Sequence, residues 1–132
     1  MLFTIKVEPV AKARAKTVMR GGRVWSYTPS KTKAAQDEIA MLIKSQIAES
    51  YPEHTPLILS VTFYRTRPAY VSKSDLVPVR KPDLDNLIKT VSDALNGIAF
   101  PDDAQITTLH ASKRWAENGS GYITIELAED KL

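Results

Sequence analysis

The sequence has no cysteine, no long hydrophobic run and no nucleotide-binding motif. Without cysteine there are no disulfides, no thiolate nucleophile and no cysteine-ligated zinc. No apolar run approaches the roughly 20 residues that cross a bilayer, and the N-terminal residues alternate in polarity where a signal peptide would be uniformly apolar. The motif G-x-x-x-x-G-K-[ST] is missing, so a nucleotide cofactor has no support. These absences predict an intracellular, cytoplasmic protein without membrane association.

Acidic residues are also missing from one long stretch of the chain. The net charge is only +3 at pH 7, but the segment from Pro9 to Lys33 contains seven bases and no acid. A second basic stretch, residues 65–81, has Asp75 as its one acid among Arg65, Arg67, Lys73, Arg80 and Lys81. Such blocks are typical of a solvated face or of a polyanion-binding surface.

The spacing of apolar residues predicts an α+β fold. The 132 residues are 43% hydrophobic and 25% charged, which is ordinary for one globular domain spanning 1–132. The predicted elements are a strand (Leu2–Val7), a basic loop or loose hairpin around Gly21-Gly22, a helix from Thr28-Pro29 to near Ser50, a strand (Leu57–Tyr64), a loop (66–79), a helix (Leu84–Leu95) and two strands (Gln105–Ala116, Tyr122–Ala128). Turn residues 118–121 predict that the last two strands form a hairpin. This order is typical of helices packed on a mixed sheet.

Two acidic pairs stand out against the basic background. Asp83 and Asp85 open the second predicted helix, and Asp102-Asp103 follow in the next loop. Magnesium prefers carboxylate oxygens and completes its shell with water and substrate phosphate. If Asp102 or Asp103 approaches the helix start, it can join Asp83 and Asp85 in holding a metal that polarises a phosphate and activates water. Lys89, one turn after Asp85, can then steady developing charge.

The same residues also have a purely structural interpretation. Asp83 can cap the helix, and Asp85, Lys89 and Asp93 share a face on which Asp–Lys pairs contribute a few tenths of a kcal/mol. An EF-hand loop is excluded, because Ile88 stands where glycine is required and Ala94 where glutamate is required. By spacing alone, the metal site and the capped, solvated helix both remain open.

The motif resembles a known family. The run RKPDLDNLIK, then DAL, then PDDAQI and finally Lys113 resembles the RusA family of Holliday-junction resolvases. The N-terminal PVAKARAK, GGRV and YTPSKT segments are similar to the same family. The resemblance implies a mixed sheet of about four strands flanked by two main helices, in a homodimer that binds four-way DNA junctions and nicks two opposing strands symmetrically. It also implies dependence on Mg²⁺, for which Mn²⁺ can substitute, and an origin in bacteria, phages or prophages.

The resemblance also assigns roles to residues. It implies that Asp83, Asp85 and Asp103 are the essential carboxylates, with Asp102 beside them at the metal and Lys89 as the catalytic lysine. Lys113 matches the family's strand lysine and is expected to contact DNA. The other predicted DNA-binding residues come from the two basic stretches, whose cations would hold the phosphates around the acidic site: Lys12, Arg14, Lys16, Arg20, Arg23, Lys31, Arg80 and Lys81.

Two other functions remain as alternatives. The same site can serve a less selective nuclease that cuts flaps, branches or single strands. The chain can also be a non-catalytic DNA-binding accessory of recombination, whose acids only cap a helix and balance charge.

Overall fold

The computed structural model describes residues 1–11, 16–27, 30–117 and 119–131. Its elements are β1 (Leu2–Ile5), β2 (Lys16–Arg20), β3 (Arg23–Tyr27), α1 (Ser30–Gln46), β4 (Leu57–Arg65), α2 (Leu84–Leu95), a 3₁₀ turn (Asp103–Gln105), β5 (Ile106–Trp115) and β6 (Tyr122–Glu129). The predicted α+β class, with a mixed four-stranded sheet and two helices, is confirmed. In the part of the chain that is described, no helix is both long and apolar enough to cross a membrane.

The main sheet has the strand order β1-β6-β4-β5, with β4 at its centre. β4 pairs parallel with β5 and antiparallel with β6, and β1 adds to β6 in antiparallel fashion. Alternate β4 residues from Leu57 to Phe63 are buried, because their side chains share one core with Ile39 and Ile43 of α1 and with Leu87 of α2. Both helices therefore cover this face of the sheet.

The predicted hairpin between the last two strands is wrong. β5 and β6 never pair with each other, because β4 lies between them. Their connection crosses the end of β4, where the Gly121 amide donates to the Glu8 carboxylate at 3.0 Å and to the Thr66 hydroxyl at 2.9 Å. A Cβ at Gly121 would lie 2.6 Å from the Tyr64 carbonyl oxygen, so only glycine fits there. The glycine at position 121 is required by this close crossing and not by a hairpin turn. The sequence alone does not distinguish these two arrangements.

The basic N-terminal segment does form the loose hairpin that the sequence predicts. β2 and β3 pair antiparallel, and Arg20 faces Arg23 across the Gly21-Gly22 turn. Both glycines have positive φ, 59° and 78°, the conformation that a tight two-residue hairpin turn requires.

α1 is shorter than predicted at its C-terminus. It ends at Gln46 and not near Ser50, and the predicted start at Thr28-Pro29 lies outside the described residues. Beyond the helix, the Tyr51 amide donates to the Ala99 carbonyl at 2.8 Å and its hydroxyl donates to the Leu127 carbonyl at 3.2 Å. These tertiary hydrogen bonds draw the chain away from the helix axis.

Candidate active site

Asp83 occupies the N-cap position of α2 but does not cap the helix. Its backbone is extended (φ −70°, ψ 143°), and within the described residues its carboxylate accepts no hydrogen bond from the first-turn amides. Both carboxylate oxygens instead lie 3.0 Å from Lys81 Nζ. The two side chains are 48% and 85% exposed, and such exposed pairs contribute only about 0–1 kcal/mol. The carboxylate is therefore weakly held and open to a stronger cation.

Asp85 and Lys89 extend this polar surface along α2. Both residues are exposed, whereas the Leu87, Val91 and Leu95 side chains on the same helix are fully buried. The buried stripe fixes the rotation of the helix, so that Asp85 and Lys89, one turn apart, both face solvent. The first turns of α2 thus present two carboxylates and an ammonium group.

Cations from two strands hold the segment that leads into α2. Arg65 Nη1, at the end of β4, donates to the Lys81 carbonyl at 2.8 Å. Lys113 Nζ, near the end of β5, donates to the carbonyls of Arg80 and Pro82, each at 3.0 Å. The Lys81–Pro82 peptide bond between these anchors is cis. Arg65 and Lys113 therefore position the carboxylates, a role that the sequence did not indicate for Arg65.

Asp102 and Asp103 differ in what they bind. Asp102 caps the 3₁₀ turn: its carboxylate accepts from the Ala104 amide at 3.0 Å, and its own amide donates to Gln105 Oε1 at 3.3 Å. Gln105 is buried and donates onward to the Pro52 carbonyl at 2.9 Å. Asp103 lies in the first turn, is exposed and takes no part in this capping box. Of the two, Asp103 is the carboxylate better placed to bind a ligand.

The structure does not bring the two acidic pairs together within one chain. Ten residues of α2 separate Asp85 from Leu95, a rise of about 15 Å, and Asp102 follows only beyond that end. Across the described ranges, no three His, Asp or Glu side chains are grouped so that they could hold a metal ion. Both pairs supply the hard oxygen donors that suit magnesium, but they lie at opposite ends of the helix.

The predicted DNA-binding cations are only partly described. Arg80 and Lys81 are exposed three and two residues before Asp83, and Arg20 and Arg23 are exposed at the hairpin turn. Of the remaining N-terminal positions, Lys16 belongs to β2 and Lys31 to α1. Lys12 and Arg14 lie outside the described ranges. Contact of Lys113 with DNA stays a prediction, since its ammonium group already donates to two carbonyls.

Comparison with known proteins identifies the family. Residues 6–126 match the family of endodeoxyribonuclease RusA. The chain is 36% identical over 125 residues to YqaN, an uncharacterized protein of Bacillus subtilis (strain 168), with 87% of each chain covered. It is 34% identical over 95 residues to the crossover junction endodeoxyribonuclease rusA of Lactococcus phage r1t, with 68% of this chain and 67% of the phage protein covered. The chain that presents these carboxylates among basic residues is thus a member of the RusA endodeoxyribonuclease family, which confirms the predicted enzyme class.

Proposed function

We propose that this protein resolves Holliday junctions by nicking two opposing strands symmetrically. The observation that carries the proposal is the exposed Asp83 carboxylate, which stands at the N-cap of α2 without capping it and shares the helix start with Asp85. A carboxylate used only for folding would bind the first-turn amides. Membership of the RusA family and the name of the phage relative support the junction as the substrate.

Asp83, Asp85 and Asp103 are the proposed metal ligands, with Asp102 holding the 3₁₀ turn in place beside them. When bound, Mg²⁺ or a substituting Mn²⁺ would polarise the scissile phosphate and lower the pKa of the attacking water. Lys89 would stabilise the negative charge that develops on the phosphate. Arg80 and Lys81 would hold the flanking backbone phosphates, as would the cations of the N-terminal hairpin, and offset the repulsion between DNA and the acidic centre.

A second copy of the chain would complete each site. The separation of the two acidic pairs along α2 supports this step, because no three carboxylates of the described residues in one chain are grouped to hold a metal. In a two-fold dimer, Asp83 and Asp85 would meet the partner subunit's Asp103, and the symmetry would repeat the arrangement at a second site. Two identical sites related by a two-fold axis suit paired nicking of opposing strands. An intracellular, cytoplasmic location follows from this substrate.

The decisive experiment compares an immobile four-way junction with a linear duplex built from the same arms. Each would be incubated with the protein in Mg²⁺ and in chelator, and the products mapped on a denaturing gel. We expect paired symmetric nicks in the junction alone, which disappear in chelator. Equal cutting of the duplex would show that the protein is a less selective nuclease. Tight binding without cutting under any divalent metal would show that it is a non-catalytic DNA-binding accessory.

A further inference from the structure

The loop between β4 and α2, residues 66–79, is held in a fixed shape. Trp115, at the end of β5, donates from Nε1 to the Asp75 carbonyl at 2.9 Å. The Arg67 guanidinium lies 5.2 Å from the centre of the Trp115 ring, and Nη1 of the same side chain donates to the Ser72 carbonyl at 2.7 Å. Val71 is 7% exposed, and its amide donates to the Pro68 carbonyl at 3.0 Å. We call residues 66–79 the branch loop.

The branch loop nevertheless exposes large apolar side chains. Tyr70 is 81% exposed, Leu76 79% and Val79 84%. These side chains stand on an ordered backbone. Val71 and Trp115 are buried, and the Trp115 indole is hydrogen-bonded to the loop backbone. Exposed apolar groups on a segment whose backbone is fixed by hydrogen bonds mark an interaction surface.

The charge beside these side chains favours a polyanionic partner. A cleft of about 510 Å³ lies at the base of the branch loop, lined by Arg67, Lys73 and Trp115, with Glu117 as its one acid. Arg80 and Lys81 follow directly after the loop and are exposed. Within residues 66–81 the cations outnumber the acid, exposed Asp75 beside Leu76, by four to one. Apolar tips in such a predominantly basic segment fit a DNA surface that exposes base faces beside phosphates. A continuous duplex keeps its base faces stacked, whereas a branch point interrupts the stack.

The branch loop also lies close to the acidic centre. Val79 precedes Asp83 by four residues, so even a fully extended chain would separate them by no more than about 14 Å. The hydrogen bonds from Arg65 and Lys113 to carbonyls 80–82 fix this stretch. A base contacted by the loop would therefore lie within a few nucleotides of the phosphate to be cut.

Resting on the proposed function, we propose that the branch loop recognises the branch point of a DNA junction. Arg67 and Lys73 contact phosphates through the cleft, while Tyr70, Leu76 and Val79 pack against base faces that are unstacked at the crossover. Packing an apolar side chain against an opened base step offsets part of the free energy of unstacking. At a branch point the stack is already interrupted, so opening a step costs less free energy there than in a continuous duplex. The loop thus determines junction selectivity, while the acidic residues of α2 and of the 3₁₀ turn carry the chemistry.

The test uses the double variant Leu76→Ser/Val79→Ser and the control Met41→Ser, which changes a side chain 64% exposed on α1. The probes are an immobile four-way junction with 2-aminopurine at the branch and a linear duplex of the same sequence. We expect wild type and Met41→Ser to raise the 2-aminopurine fluorescence on binding. The double variant should lose that signal and bind the junction at least about tenfold more weakly, with duplex binding unchanged.

Three outcomes would overturn the inference. In the first, the double variant binds, opens and cuts the junction as wild type does. In the second, it sediments as a monomer where wild type is a dimer, which would assign the apolar tips to a second copy of the chain. In the third, wild type leaves the 2-aminopurine signal unchanged. A wild type that opens the junction without cutting it would instead sink the proposed function and leave the branch loop's role intact. Thermal melting of all three proteins checks that each is folded.

Discussion

Two aspartates stand at the N-cap of a helical segment, and they are used in opposite ways. Asp102 caps the 3₁₀ turn through a complete capping box, while Asp83 leaves the amides of α2 uncapped and pairs with exposed Lys81. The residue type and local position are the same, so propensity alone cannot tell them apart. The difference teaches that a carboxylate withheld from a favourable local hydrogen bond is available for chemistry, whereas one that makes it serves the fold.

The largest effect should come from neutralising the uncapped aspartate. Asp83→Asn keeps the shape of the side chain but removes a metal ligand, so we expect cleavage of a four-way junction to fall by about a thousandfold, equivalent to roughly 4 kcal/mol. Junction binding should survive or tighten, because a negative charge facing DNA is removed. Gel cleavage and gel-shift assays measure the two effects, with exposed Glu49→Gln as the control. Retained cleavage would return Asp83 to a structural role.

A mixing experiment tests whether Asp83 of one chain shares a metal site with the partner subunit's Asp103. Asp83→Asn and Asp103→Asn should each be inactive alone. When the two are refolded together, half of the dimers should be mixed, and each mixed dimer should carry one intact site, which restores about a quarter of the wild-type sites. The products should be single nicks, not paired nicks. If mixing restores no cleavage, each site belongs to one chain and the shared arrangement is wrong.

Removing the capping aspartate should lower stability where removing the uncapped one does not. Asp102→Ala deletes an N-cap hydrogen bond, so we expect a loss of about 1 kcal/mol in the free energy of unfolding and about 3–5 °C in Tm. Asp83→Ala should leave Tm within about 1 °C of wild type, because only an exposed ion pair is lost. Thermal and urea unfolding would compare the two. Equal losses would erase the distinction between the two N-caps.

The smallest effect concerns Asp130, which lies outside the helices and whose carboxylate accepts hydrogen bonds from two threonines. Hydrogen bonds from the hydroxyls of Thr107 (2.7 Å) and then Thr108 (2.8 Å) hold the pKa of Asp130 below its ordinary value. A lowered folded-state pKa means that the ionised form stabilises the protein above the unfolded pKa, and that this contribution is lost as pH falls through the folded pKa. Asp130→Asn should therefore be slightly less stable than wild type at neutral pH, with the difference closing in acid.

Urea unfolding at several pH values measures this difference, with exposed Glu129→Gln as the matched control. A carboxyl NMR titration of Asp130 would report its pKa directly. A gap between Asp130→Asn and wild type that does not depend on pH would show that the two threonines do not favour the ionised form.

Local patterns predicted the helices and the acidic motif, and long-range geometry decided the rest. α2 was predictable because its apolar residues repeat at helical spacing and bury one stripe. The pairing of β5 and β6 was not predictable, because the turn residues near Gly121 are equally compatible with a hairpin and with a crossing over β4. The separation of Asp85 from Asp103 was also missed, since a motif records order along the chain and not the rise of the helix between.

The anchors beneath Asp83 have a consequence for any salt titration of this enzyme. Arg65 and Lys113 donate hydrogen bonds to carbonyl oxygens and not to carboxylates. Because these acceptors carry no net charge, dissolved anions compete with them only weakly. Salt screens the attraction between charges and displaces cations from phosphate, but it competes far less with a short hydrogen bond to a carbonyl. Ionic strength can therefore release DNA while the scaffold under the acidic centre keeps its shape. The slope of binding against salt will therefore report ionic contacts, with DNA above all, and not a loss of these two anchors.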